Sequence, residues 1–356
     1  PIVFDQYLYV GTNQGLFYKK HNVNEPLKPI EGLEGQVWSL THIDNKLFCG
    51  HDQGAFSVAK NRAKQLYEKS GMWIFKQISD NLLIAGAYDG LHIFSKKSDS
   101  WSYQNHLNDF NISSRYFEIL DTDELLLSHE YKGIYKLTMD EAKTAIISIK
   151  QIPDVPKSSY SSLLLFQDNI YYFSKAGFFS YDKNQDTLIK NDSISQLFNE
   201  DNFTTAKMVV DRGDYLWLFG RNNLFQLKKA TFSNDFLVNK LPIAYDTRKT
   251  ITGFENISHV EKDIYQIGTS RGFFRLDISK LKSVPPQIGL SGLVAKNKMG
   301  DVQFLNLSEE ADLDYDFNTI TASLYFTNNT ILDLPRFQYK LDGYSESWSD
   351  WTEDAT

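Results

Sequence analysis

The chain has 356 residues, 42% hydrophobic and 14% aromatic, with 25 Phe, 20 Tyr and a formal net charge of −8. An aromatic-rich, helix-poor composition suits half-buried pleated surfaces, and the length allows one large β-domain plus a smaller one. An acidic balance without any long Lys/Arg cluster argues against nucleic-acid binding, which needs a basic stripe to neutralise phosphates.

Pro1-Ile2-Val3-Phe4-Asp5 has neither the basic region nor the apolar core of a signal peptide. No stretch reaches the ~20 apolar residues of a membrane helix. From Tyr7 onward one phrase recurs: a short apolar strand, a turn usually ending in Gly, then a second apolar strand. It occupies residues 7–17, 47–56, 82–93, 125–135, 170–179, 216–225 and 264–274. The anchor residues Gly15, Gly54, Gly90, Gly133, Gly177, Asn223 and Gly272 fall 36 to 49 residues apart, the period of a four-stranded propeller blade. Asn223 replaces the anchor Gly of the sixth copy and is expected to keep the same positive-φ turn, which Asn tolerates next best. Strand-like runs at 37–40, 73–75, 116–120, 163–166 and 208–210 are expected as innermost strands, and the more polar 64–67 and 102–103 as outermost ones. Only six residues precede the first hairpin, so its inner strand must be short or supplied from upstream. The single cysteine, Cys49, excludes an intrachain disulfide and reads as a small buried hydrophobe.

The repeat stops after Lys282, and Pro285-Pro286 marks a boundary. Alternating runs at 287–294, 320–326 and 336–341 suggest a sandwich. Roughly 70 residues remain, against ~100 for a complete immunoglobulin-like fold. The fold class is therefore all-β: a seven-bladed β-propeller over 1–283, then an incomplete immunoglobulin-like sandwich over 284–356.

Residues 337–351 read Phe-Gln-Tyr-Lys-Leu-Asp-Gly-Tyr-Ser-Glu-Ser-Trp-Ser-Asp-Trp. They resemble the centre of a triple-tyrosine (Y-Y-Y) domain, Tyr-x-Tyr-x-Leu-Glu-Gly-aromatic-x-x-x-Trp-Ser-x-Trp, with Phe337 for the first tyrosine and Asp342 for the Glu. Val37-Trp38-Ser39-Leu40 with Gly50 and Gly54 is similar to regulator-propeller repeats. In this order the modules resemble the extracytoplasmic sensor region of Bacteroidetes transmembrane regulators, of the hybrid two-component or LuxR-type helix-turn-helix kind. The resemblance implies a periplasmic, non-catalytic part of an inner-membrane protein. It also implies dimerisation through the Y-Y-Y domain, and a further propeller upstream in many members.

Catalytic signals are sparse. His21, His42, His51, His92, His106, His129 and His259 form no metal-binding motif, so no metal or cofactor is expected. His51 and His129 share one hairpin position in two blades, where a solvated turn histidine is the simpler reading. Asp52, Asp89 and Glu130 could face a channel as paired carboxylates, although Asp also suits tight turns.

Binding is the stronger expectation. In a propeller, the hairpin between the second and third strands opens on the same end as the start of the inner strand, so all blades converge on one channel mouth. Inner-strand starts contribute Trp38, Trp73, Arg115, Tyr116 and Tyr160; hairpins contribute His51, Tyr88, Tyr131, Arg221 and Arg271. Aromatic faces stack on sugar C–H surfaces and Arg offers a planar donor fork. The expected partner is a small ligand such as an oligosaccharide, or an envelope protein; inter-blade packing is the competing role for each Trp. Two alternatives stand beside the sensor: an interaction scaffold with a large apolar patch, and a propeller glycosidase or lyase.

Overall fold

The computed structural model of the chain describes residues 1–156, 158, 160–231, 233, 235–281, 287–327, 337–352 and 354. Up to residue 281 the strands form seven successive antiparallel sheets, six of four strands and a last one of three, each in simple chain order. The first sheet is Ile2–Phe4, Tyr7–Gly11, Leu16–Lys20 and Lys28–Pro29. Its inner strand is short. The second is Val37–Ile43, Lys46–His51, Gly54–Ala59 and Arg62–Glu68, and the third is Met72–Ser79, Leu82–Ala87, Gly90–Lys97 and Ser100–His106. The fourth begins at Tyr116–Ile119, the fifth at Ser161–Phe166, the sixth at Phe203–Val210 and the seventh at Ile257–Glu261.

Burial explains why the repeat was visible. Second strands such as Leu82–Ala87 and Leu216–Gly220 are buried almost throughout, whereas the outermost strands Ile146–Gln151 and Phe236–Leu241 are mostly exposed. A strand covered on both faces reads as a continuous apolar run rather than an alternating one. The covering comes from neighbouring sheets. Phe48 packs with Phe75 and Phe94 between the second and third sheets, Ile84 with Phe117 and Leu127 between the third and fourth, and Phe173 with Leu218 and Phe225 between the fifth and sixth. Further clusters join first to second, fourth to fifth and sixth to seventh. Each fully buried aromatic contributes roughly 1.5–3 kcal/mol from area alone. Sheets stacked face to face in chain order are propeller blades. The chain is a β-propeller.

The anchor glycines serve the turn as expected: Gly15, Gly54, Gly90, Gly133, Gly177 and Gly272 have φ between +102° and +145°. Asn223 is a correction. It is absent from the positive-φ residues, although Gly220 N–H donates to the Asn223 carbonyl at 2.9 Å just as Thr12 N–H donates to the Gly15 carbonyl at 3.0 Å in the first hairpin. The φ range of these glycines lies well beyond the left-handed well that Asn visits, so Asn223 takes another backbone conformation at this position.

Beyond the propeller, Gln287–Lys296 pairs with Val302–Phe304 on one side and Thr319–Thr327 on the other. The strand expected over 336–341 is a second correction. Among the described residues only Phe337 bridges, to Thr352, and 338–341 carry no strand. Lys282, Pro285, Pro286 and Arg336 lie outside the described residues. Among those residues no helix is long and apolar enough to cross a membrane.

Candidate functional site

Strand order brings the starts of the inner strands and the second hairpins to one end, and five of the ten anticipated residues meet there. Trp38 opens the inner strand of the second sheet, Trp73 that of the third, and Tyr88 sits in the third sheet's hairpin. The Trp38 and Trp73 rings lie 4.6 Å apart between centroids, and Tyr88 is 5.0 Å from Trp73 and 6.5 Å from Trp38. Arg115 and Tyr116 arrive with the fourth sheet. The guanidinium lies 5.2 Å from the Trp73 ring, 5.0 Å from Tyr116 and 4.5 Å from Phe254, all within cation–π range. One of its nitrogens donates to the Gly253 carbonyl at 2.7 Å. Phe254 precedes the inner strand of the seventh sheet and reaches Trp38 at 5.9 Å. The group thus ties sheets two, three, four and seven together across the axis. Sequence reasoning missed Phe254, which lies three residues before its inner strand rather than at the strand's start.

A charged layer adjoins these rings. Lys76 Nζ lies 2.7 Å from Glu118 Oε2, with Glu118 almost fully buried. Lys207, from the inner strand of the sixth sheet, places Nζ 5.5 Å from the Tyr116 ring. Burial first, then the neighbouring Arg115, lowers its pKa to about 8. Glu255 is 2% exposed, and one of its oxygens accepts from Gly253 N at 2.8 Å and Thr205 Oγ1 at 3.3 Å. Desolvation holds its carboxyl above the ordinary range. Lys207 and Glu255 were both overlooked, since neither stands out in an ordinary strand sequence.

The other five anticipated residues do not join this group among the described contacts. Tyr131 is 68% exposed beside His129, and Tyr160 is also exposed. Arg221 is exposed and donates to the Asp201 carbonyl, while Arg271 is exposed on its own hairpin. His51 is fully buried with Nδ1 2.8 Å from Asp52 Oδ1, and the same Nδ1 accepts from Gln53 N–H at 3.1 Å. That last bond accounts for the shared position of His51 and His129. Tyr131 N–H donates to His129 Nδ1, Gln14 N–H to Thr12 Oγ1, Ala176 N–H to Ser174 Oγ and Arg271 N–H to Thr269 Oγ1. Five hairpins therefore place a side-chain acceptor two residues before an unpaired turn amide, a local cap that Thr, Ser or His can each supply.

Asp89, His92 and His106 carry metal-ligand atoms within 4.8 Å of one another. Their polar atoms also serve each other: His92 Nε2 donates to Asp89 Oδ1 at 3.0 Å, His106 Nε2 meets the Asp89 carbonyl at 3.1 Å, and Lys69 Nζ lies 3.0 Å from the other carboxylate oxygen. Burial opposes ionisation of Asp89, yet His92 and Lys69 together pull its carboxyl down to about 2. Separately, a cavity of about 1170 Å³ opens near the turns at the opposite end of the sheets, beside Phe4, His42, Asn45, Trp101 and Arg212.

Histidine burial gives the protein a pH dependence. His92 and His51 are 1% and 0% exposed, and desolvation lowers both below the ordinary 6.5. Below that value the unfolded chain binds more protons than the folded one, so stability is lost as pH falls through the folded pKa values. The melting temperature is expected to drop between about pH 7 and pH 5, and His92→Gln to flatten that slope. An unchanged slope in the variant would remove His92 from the account.

Neither a protein-family model nor a curated protein matches the chain. Solved structures share its fold. The extracellular domain of a hybrid two-component system from B. thetaiotaomicron superposes with a TM-score of 0.52 at 14% identity, over 85% of this chain and 42% of that one. A second structure of that domain, described as a one-component system, gives 0.51 at 16% identity over the same shares. PorZ, a surface component of the type-IX secretion system of Porphyromonas gingivalis, gives 0.53 at 14% identity, over 90% of this chain and 44% of PorZ. The chain spans less than half the length of each of these structures.

Proposed function

We propose that this chain is the ligand-binding, non-catalytic sensor region of an extracytoplasmic signalling protein. Its seven sheets close one seven-bladed ring, and Trp38, Trp73, Tyr88, Arg115, Tyr116 and Phe254 form the recognition surface at the axis. The observation that carries this reading is the convergence of rings and one guanidinium from four different sheets, a surface whose geometry depends on how the blades are set. The buried indole N–H groups of Trp38 and Trp73 have no acceptor among the described residues, and unpaired buried donors are a standing cost that a ligand's oxygens would relieve. Ring faces stack on sugar C–H surfaces, which favours an oligosaccharide. The likeness to the extracellular domain of a two-component system supports the sensor role and the periplasmic setting. The region from residue 284 onward belongs to a Y-Y-Y domain in this reading, and the exposed Tyr339, Tyr344, Trp348 and Trp351 are its dimer contacts.

A thermal-shift screen against oligosaccharides tests the proposal. A binding ligand at a hundredfold excess over Kd adds about 2.7 kcal/mol to folded-state stability. Trp73→Ala and Arg115→Met are each expected to weaken that ligand about fivefold to thirtyfold, about one to two kcal/mol of lost stacking or charge contact. A ligand that binds both variants as tightly as the parent would place recognition elsewhere. One observation favours the scaffold alternative. The outer strands of sheets four to six expose Ile147, Ile149, Ile189, Leu237 and Val238, the kind of apolar rim a protein partner covers.

A further inference from the structure

We infer that the axial site recognises an oxyanion, a carboxylate or sulfate group carried by the ligand, held by Lys207 and Arg115 beside the Tyr116 ring. The inference deepens the sensor reading and rests on it. Both cations approach one ring, Arg115 at 5.0 Å and Lys207 at 5.5 Å from its centroid. Neither has a carboxylate within 4 Å among the described residues, whereas Lys76 pairs with Glu118 and Lys69 with Asp89. Arg115 spends one bond on Gly253, and Lys207 Nζ has no hydrogen-bond acceptor among the described residues. Two like charges brought together on one ring repel, and partial burial removes the water that would screen them.

The acids that face this point make no direct ion pair with either cation among the described residues. Glu118 is engaged by Lys76. Glu255 spends one oxygen on Gly253 N and Thr205 and acts on Lys207 only from beyond ion-pair distance, while burial raises the pKa of both Glu255 and the half-buried Glu130. Beside the cations stand the two unpaired indole donors of Trp38 and Trp73. The site therefore offers two charged donors, Arg115 and Lys207, together with the neutral indole donors of Trp38 and Trp73. An oxyanion answers all of them through charge-assisted bonds, which run about twice the strength of neutral ones.

Amine reactivity at Lys207 tests this on the whole chain without knowing the natural ligand. Lys207 is half-buried, so a small acylating reagent reaches it, and its modification is followed by peptide mass spectrometry. The probes are sodium sulfate, galacturonate and galactose, with sodium chloride at matched ionic strength. Sulfate and galacturonate are expected to slow labelling of Lys207 at least threefold against chloride, with exposed Lys175 unaffected, and Arg115→Met to abolish the protection. Equal labelling in sulfate, galacturonate and chloride overturns the oxyanion site. Equal protection by galactose and galacturonate also overturns it, while leaving the sugar-binding reading standing. Protection by sulfate and galacturonate alike assigns the charge itself as the feature read; protection by galacturonate alone assigns a sugar acid.

Discussion

Gly54→Ala is expected to destabilise the propeller by about 3–5 kcal/mol, while Gly272→Ala, at the equivalent turn of the last sheet, costs only about 1–3 kcal/mol. Both glycines have nearly the same backbone, φ +138° and +145°, so both substitutions carry the strain of an L-residue in a region open to glycine. They differ in what surrounds them. A Cβ on Gly54 would lie 2.1 Å from the Tyr67 carbonyl oxygen and 3.1 Å from the Lys69 amide, in the outermost strand and just beyond it, whereas a Cβ on Gly272 would meet nothing within 4 Å. Among the described residues the seventh sheet has three strands, with none paired outside the strand that Gly272 begins. Urea unfolding of the two variants separates conformational strain from steric overlap. Equal losses would show that the outer strand yields freely around Gly54.

Lys76→Met is expected to be the most damaging single change at the axis, about 3–5 kcal/mol. Glu118 is 3% exposed and its Oε2 lies 2.7 Å from Lys76 Nζ. Removing the ammonium leaves a buried carboxylate without a counter-charge, which costs far more than the pair itself contributes. The double variant Lys76→Met/Glu118→Leu is expected to recover most of that loss, because the pair's Coulomb attraction and its desolvation roughly offset one another. A double-mutant cycle by denaturant unfolding measures the coupling directly. Additive losses in the double variant would mean that Lys76 packs through its aliphatic stem and that the charge pairing is incidental.

These two sites show which features a sequence exposes. Gly54 and its counterparts were legible because a φ beyond +100° admits almost no other residue, so the turn leaves its mark at a regular spacing. Asn223 was misread for the complementary reason. Asn tolerates the left-handed well yet does not reach the glycine region, and one substitution in a regular series hides a change of backbone conformation. Of the strand expected over 336–341, the described residues 338–341 carry none: alternation alone does not make a strand.

Site residues divided differently. Trp38, Trp73, Tyr88, Arg115 and Tyr116 could be named because propeller topology assigns inner-strand starts and second hairpins to one end. His51 and His129 were singled out for the same position and serve there as caps for turn amides. Phe254 brought a ring from the opposite side of the axis, and Lys207 a cation from a strand of unremarkable sequence.

The amino-acid sequence alone determined the repeating sheet, its period, the covered and uncovered strands and the end at which aromatics gather. Those follow from local rules, namely backbone sterics at glycine and the burial of apolar runs. Which rings touch, which cations lack a partner and which glycines tolerate a side chain were decided only by the tertiary structure. Such relations join residues from sheets as far apart as the second and the seventh, and their distances depend on how the blades are set around the axis.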